Sequence, residues 1–261
     1  MTGLDPIADV ALLCAFALVA GFLDAVVGGG GLIQIPALMI LLPEAPIAAL
    51  FGTNKCVSVC GTSAAIWQYT RHVEIPWRPV LPTMLTALLS GFLGAATVSL
   101  LDPDALRPVI LAVLVLVLVY TLWRKDFGAI HAPRLGHHAQ VVAGLAAGAV
   151  IGFYDGFLGP GTGSFLVLAF VALFGFSFLH ASAVAKIVNV TTNVAAIAYF
   201  VPRGHVIPTL VVPMALANLT GGWLGAHVAI RHGSGFVRGV FLVVVGLLLA
   251  RFAFDIFVGD R

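Results

Sequence analysis

Apolar runs about long enough to cross a bilayer follow one another along nearly the whole chain, and only four charged side chains lie well inside them: Asp24, Lys55, Asp155 and Lys186. One crossing takes about 20 such residues, so the chain has room for roughly eight to ten segments and almost no domain outside the membrane. Composition agrees, with 61% hydrophobic and 9% charged residues, where a soluble domain carries about one quarter charged. The expected fold is therefore an all-α polytopic membrane protein with the lipid bilayer as its surroundings. A formal charge of +2 with 13 dispersed Lys and Arg residues is no footprint for nucleic acid, which is excluded as a partner. Cys14, Cys56 and Cys60 form an odd set without metal-type pairing, so they read as small packing residues and no metal site is expected. The start of the chain carries Asp5 and Asp9 and no positive stretch, so the first apolar run is expected to stay as a membrane helix and not to be removed as a signal.

Proline, glycine and charge divide the chain into predicted helices near 7–27, 46–70, 77–101, 104–124, 139–158, 180–201, 206–230 and 235–258. Two shorter apolar pieces, 32–42 and 164–175, each follow a glycine cluster and are too short to span at full thickness. Residues 125–138, with Lys125, Asp126, His131, Arg134, His137 and His138, form a polar linker. The organisation expected is a first transmembrane repeat at 1–124, a cytoplasmic linker at 125–138 and a second transmembrane repeat at 139–261.

The two halves are related by an offset of 131 residues. Gly21-Phe22-x-Asp24 falls on Gly152-Phe153-x-Asp155, Gly28 and Gly30 fall on Gly159 and Gly161, and Lys55 falls on Lys186. Pro82 meets Pro213, Gly91-x-Leu93-Gly94-Ala95 meets Gly222-x-Leu224-Gly225-Ala226, and Arg107 meets Arg238. Leucines coincide by chance in an apolar chain, but matched Asp, Lys, Pro and Arg do not, so the sequence reads as a duplication.

Short cytoplasmic loops collect Lys and Arg. In the first half the basic residues are Arg71 and Arg78 around the 70–77 loop and Arg124, Lys125 and Arg134 around the linker. In the second half the loop matching 70–77 has Arg203 alone, whereas the loop matching 102–107 has Arg231 and Arg238. The bias changes sides, which predicts inverted repeats of about five helical segments each, with the linker inside and both termini outside.

An ionised group at mid-membrane costs about 2.5–3.5 kcal/mol on insertion scales, so the four interior charges need partners, water or a ligand. One explanation is structural: two Asp–Lys ion pairs, one within each half, that hold broken helices together. The other is functional. Gly28-Gly29-Gly30-Gly31 and Gly159-Pro160-Gly161-Thr162-Gly163 cannot continue a helix comfortably, and unwound backbone at membrane depth is tolerated only beside protein or a wet cavity. New short helices are expected to start at Leu32 and at about Ser164. Their free N–H groups and positive dipole ends would cradle an anion, with Gly29, Gly30, Gly31, Gly161, Thr162 and Gly163 supplying backbone. Lys55 and Lys186 add positive charge, as in a secondary transporter that binds an anion between its repeats. Asn54 and Thr62 lie near Lys55, and Lys186, Asn189 and Asn193 share a helix face, placing hydrogen-bond donors beside both lysines. Gly91, Gly94, Gly222 and Gly225 instead sit in continuous apolar helices and read as packing contacts. Asp24 and Asp155 are the interior acids able to carry a coupling proton.

The ordered set Gly21-Phe22-Leu23-Asp24 through Gly28-Gly29-Gly30-Gly31-Leu32-Ile33-Gln34-Ile35-Pro36, then Gly52-Thr53-Asn54-Lys55 with Gly61-Thr62, resembles the TauE/SafE family of sulfite exporter type membrane transporters. In the second half the resemblance is carried by Gly152-Phe153-Tyr154-Asp155-Gly156-Phe157-Leu158-Gly159-Pro160-Gly161-Thr162-Gly163-Ser164-Phe165 and by Ala181-Ser182-Ala183-x-Ala185-Lys186-x-x-Asn189-x-x-x-Asn193. It covers essentially the whole chain. It implies a carrier of the bacterial inner membrane that moves a small anion, sulfite or a sulfonate such as sulfoacetate, often outward.

Two other classes stay open at this point. The same cradle would serve an anion channel. An intramembrane aspartyl protease would use Asp24 and Asp155 as paired carboxylates, but its Gly-x-Gly-Asp signature is absent from the sequence. No Gly-x-x-x-x-Gly-Lys loop is present to hold ATP, so no cofactor is expected.

Overall fold

The computed structural model describes residues 6–97 and 135–258. The helix expected at 104–124 and linker residues 125–134 lie outside the described residues. Eight α-helices are described: α1 Pro6–Val27, α2 Gly31–Leu41, α3 Ile47–Tyr69, α4 Trp77–Thr97, α5 His137–Phe157, α6 Thr162–Ala172, α7 Phe178–Phe200 and α8 Pro208–Val258. A short 3-10 turn, Val201–Arg203, follows α7, and there is no strand among the described residues. α5 begins two residues inside the segment read as linker, because His137 and His138 are already helical. The expected pair 206–230 and 235–258 is one helical run broken at Gly233, whose φ of 72° and ψ of −167° are non-helical.

Both glycine clusters break the chain as expected, and the short helices behind them start slightly early, at Gly31 and Thr162. Each has 11 residues, about 16 Å of helix at 1.5 Å per residue, roughly half a bilayer core. Gly28 and Gly159, at matching positions of the two halves, have φ of 80° and 85°. Among the described residues, five helices are long and apolar enough to cross a membrane, within Ala8–Val27, Trp77–Thr97, His137–Phe157, Phe178–Arg203 and Pro208–Val240. α3 also has 23 residues, but Thr53, Asn54, Lys55, Ser58, Thr62 and Gln68 dilute its apolar character.

The halves are interleaved. α1 packs mainly on α8, α4 mainly on α5, and α3 lies against both α7 and α8. The glycine contacts repeat this exchange: Gly94 lies against the Phe153 backbone and Gly225 against the Phe22 backbone, while Gly152 meets Ala87 and Gly21 meets Asn218. Each of these pairs maps onto the other when the 131-residue offset is applied and the halves are swapped. Gly91, Gly94, Gly222 and Gly225 all sit against backbone or Cα atoms of a neighbouring helix, which is the close approach that small residues permit in membranes.

The outer face is apolar. Leu81, Leu85, Leu88, Phe92 and Leu93 are exposed along α4, and their counterparts Val212, Leu216, Leu219, Trp223 and Leu224 are exposed along α8. Contiguous exposed apolar stripes of this kind mark surfaces that meet lipid or another protein. At the helix ends Arg71 stacks over Trp67 at 3.8 Å and Arg203 over Tyr199 at 3.9 Å, the kind of amphipathic anchor that settles at a membrane interface. The interior is filled by Phe170, Phe174, Phe176 and Phe178 with Val26, Val27, Leu166 and Val184, all nearly inaccessible. α7 is the helix most enclosed by its neighbours, which places Lys186 in the centre of the molecule.

Candidate functional site

The four interior charges form two ion pairs among the described residues, and neither pair lies within one half. Lys55 Nζ on α3 is 2.8 Å from Asp155 Oδ1 on α5. Lys186 Nζ on α7 donates to Asp24 Oδ2 on α1 at 3.3 Å. Pairing within each half, the structural explanation considered above, is therefore corrected: each lysine reaches across to the carboxylate of the other half. The reason is geometric. Because α1 and α5 leave their own halves to pack on α8 and α4, each broken helix presents its aspartate to the partner half's central helix.

Lys186 is 0% exposed and Lys55 4%, so both ammonium groups depend on these partners. The pairs are not equivalent. Asp24 Oδ2 also lies 3.1 Å from the Thr62 hydroxyl, whose single proton is shared between it and Ser58 O at 2.8 Å within α3. At the position matching Thr62 stands Asn193, whose Nδ2 goes to Asn189 Oδ1 at 3.2 Å. Asp155 Oδ2 and Asn54 Oδ1 are buried and have no hydrogen-bond partner among the described residues.

Between the pairs lies a cavity of about 20 Å³. α1 and its break contribute Asp24 and Gly28, α2 contributes Gly31, and α3 contributes Asn54, Lys55 and Ser58. From the second half come Asp155, Gly159, Gly163, Asn189 and Asn193. That volume suits about one water molecule, so an anion of several heavy atoms fits only after the walls separate. A separate hollow of about 340 Å³ beside Arg71, His72 and Glu74 sits at the helix ends, away from these groups.

Of the residues singled out from the sequence, Asp24, Gly31, Asn54, Lys55, Asp155, Gly163, Asn189 and Asn193 line the cavity. The others surround it. Thr62 and Lys186 hold Asp24. Gly30 lies against Ala20 O and the Asp24 side chain, and Gly161 faces Leu32. Thr162 Oγ1 donates to Gly159 O at 2.8 Å and so closes its own turn. Gly29 O accepts from Leu32 N at 3.1 Å and Gly30 O from Ile33 N at 3.1 Å. Some first-turn donors expected to be free are thus engaged within the break, leaving the helix dipole and the remaining N–H groups for a ligand.

Ser58, Gly28 and Gly159 line the cavity without having been singled out as binding residues. The signal for Ser58 was present in the repeat, since it is the counterpart of Asn189. At Gly159, an added Cβ would stand 3.1 Å from Lys55 Nζ, so the missing side chain is what lets the ammonium reach the break. The two breaks also touch directly: Gly28 abuts Gly163, Ser164 Oγ donates to Val27 O at 2.9 Å, and Ser182 Oγ donates to Val26 O at 3.0 Å. Each aspartate is paired with a lysine of the opposite half.

A family model described as Sulfite exporter TauE/SafE matches residues 13–252. The chain is 33% identical over 244 residues to a Sinorhizobium protein named "Probable membrane transporter protein ORF9", covering 92% of this chain and 90% of that one. It is 31% identical over 246 residues to a "Probable membrane transporter protein" of Haemophilus influenzae, covering 94% and 95%. It is also 31% identical over 239 residues to "Probable membrane transporter protein YfcA" of Escherichia coli K12, covering 92% and 87%. No solved structure matches the chain significantly.

Proposed function

Because the chain belongs to the TauE/SafE family of membrane transporters and is a multi-pass membrane protein, we propose that it exports a small sulfur-containing anion, such as sulfite or sulfoacetate, across the bacterial inner membrane by alternating access. The observation that carries this reading is the pair of buried lysines held by carboxylates of the opposite halves around a polar cavity at two helix breaks. Lys55 meets the anion directly, and Lys186, neutralised by Asp24 while their contact holds, adds positive charge only when that contact opens. Asn54, Thr62, Asn189 and Asn193 offer side-chain donors, and the segments Gly29–Gly31 and Gly161–Gly163 offer backbone. A cavity closed to about 20 Å³ fits a carrier between its two open states better than a standing pore.

The exchanged glycine contacts and crossed ion pairs support a two-fold relation between residues 1–124 and 139–261, the halves lying inverted across the membrane. Residues 125–138 are then cytoplasmic and both ends of the chain periplasmic. A cysteine placed at Ala132 should resist a membrane-impermeant thiol reagent in intact cells, whereas one at Thr2 should react. Labelling with the opposite preference would rule out this topology.

Outward movement of net negative charge from a negative interior is favoured by about 2.3 kcal/mol per net charge per 100 mV, so a cycle that carries net negative charge outward needs no ATP. The decisive assay is reconstitution into liposomes with sulfite, sulfoacetate, taurine and simple carboxylates, voltage and pH being imposed separately. Saturable accumulation of a sulfur anion against its gradient is expected, with Lys55→Met reducing apparent affinity at least tenfold. Flux that only dissipates gradients would make the protein a channel, and an anion affinity unmoved by Lys55→Met would place the site elsewhere.

A further inference from the structure

Resting on that reading, we infer that Asp155, and not Asp24, takes up one proton for each anion bound, so that transport of the anion is coupled to a proton through the Lys55–Asp155 pair. Lys55 is the lysine that lines the cavity, and its ammonium stands 2.8 Å from Asp155 Oδ1. As long as that contact holds, the lysine is neutralised and the cavity offers an anion little attraction. An anion that engages Lys55 must come beside Asp155. Two like charges held side by side in a site shielded from water repel strongly. The repulsion is removed when a proton adds to Asp155: an O–H bond forms at Oδ2, the proton comes from the solution to which the cavity opens, and the Lys55 ammonium passes from carboxylate to anion. The new hydroxyl then donates to an anion oxygen, giving Oδ2 the partner it lacks in the closed state.

The opposite pair is built differently. Asp24 Oδ2 is held by both Thr62 and Lys186, and Lys186 is not among the groups lining the cavity. An anion that binds Lys55 therefore leaves Asp24 ionised and satisfied. The asymmetry comes from one exchanged side chain, since Asn193 stands where Thr62 would be matched and bonds Asn189 instead of Asp155. The charged and titratable groups around Asp155 are few. Lys55 faces it from α3, Asp24 lines the same cavity from α1, and Lys186 lies behind Asp24 on α7. Tyr154 beside it on α5 turns its hydroxyl to Pro160 O at 2.7 Å. α6 carries no titratable residue, and the charged residue of α4 is Arg78 in its first turn.

The test is the anion gradient at which sulfoacetate flux reverses in proteoliposomes held at zero voltage, measured with and without a pH gradient; sulfite and simple carboxylates serve as further probes. At zero voltage, one-to-one coupling converts a tenfold proton gradient into about a tenfold anion gradient. The wild-type protein is expected to do this, and Asp155→Asn is expected to move the anion with no response to the pH gradient. Asp24→Asn made together with Lys186→Met, whatever its turnover, should keep the response. A wild-type reversal gradient indifferent to pH overturns the proton coupling and leaves the anion transporter standing, and this arm needs no variant to fold. Loss of the response in the Asp24 variant but not in Asp155→Asn overturns the assignment to Asp155. If none of the probes binds or moves, the anion reading itself falls and the coupling falls with it.

Discussion

Replacing Lys186 with Met is expected to destabilise the protein by about 3–5 kcal/mol, the usual consequence of breaking a buried ion pair from one side. Lys186 is 0% exposed and is enclosed by the most buried helix, so its removal strands the Asp24 carboxylate beside Thr62 alone. Adding Asp24→Asn removes that stranded charge, and the double variant should recover most of the loss, because a matched neutral pair of similar volume costs little in such a site. The measurement is a thermodynamic cycle by denaturant unfolding in detergent micelles, with wild type, both single variants and the double variant. A coupling energy near zero would mean that the 3.3 Å contact is incidental and that Lys186 is held by something else. The corresponding cycle for Lys55 and Asp155 separates the structural from the transport role, since that pair also lines the cavity.

Much of this arrangement could be read from residue order, and the parts that could not share one cause. Helix breaks at Gly28–Gly31 and Gly159–Gly163 follow from local backbone chemistry, and the 131-residue offset locates matched groups without any structure. Neither says which half a side chain will reach. Local reasoning pairs Asp24 with Lys55 because they are close in sequence, but packing pairs each with the other half. Ser58 is hard to pick out because a serine in a helix is a weak signal by itself, although its match to Asn189 agrees with its place on the cavity wall. The donors of Leu32 and Ile33 were expected to be free, yet they return to Gly29 and Gly30, since a glycine turn tightens more readily than a generic helix start. Gly91, Gly94, Gly222 and Gly225 show the opposite case, where Gly-x-x-Gly spacing alone told that a neighbouring backbone would come close.

That close approach leads to the second large effect, at the crossing of the two breaks. Gly28 has φ of 80°, and a Cβ added there would fall on the backbone of Gly163. Gly163 cannot retreat cheaply: Ser164 Oγ is bonded to Val27 O at 2.9 Å, and the helix behind it buries Leu166, Val167 and Phe170. A side chain at Gly28 thus meets two penalties together, the left-handed backbone, about 1–2 kcal/mol for an ordinary residue, and an overlap that no rotamer relieves. Gly204 separates them, since it too has a left-handed φ, of 71°, but an added Cβ would meet nothing within 4 Å. Gly204→Ala is expected to lower stability by about 1–2 kcal/mol and leave a folded, transport-competent protein. Gly28→Ala should cost several kcal/mol more, about the total stability of many domains, and yield little monodisperse protein by size-exclusion chromatography. Equal melting temperatures for the two variants would mean that the breaks are not in contact in the membrane, and the cavity they enclose would then have to be rebuilt from other walls.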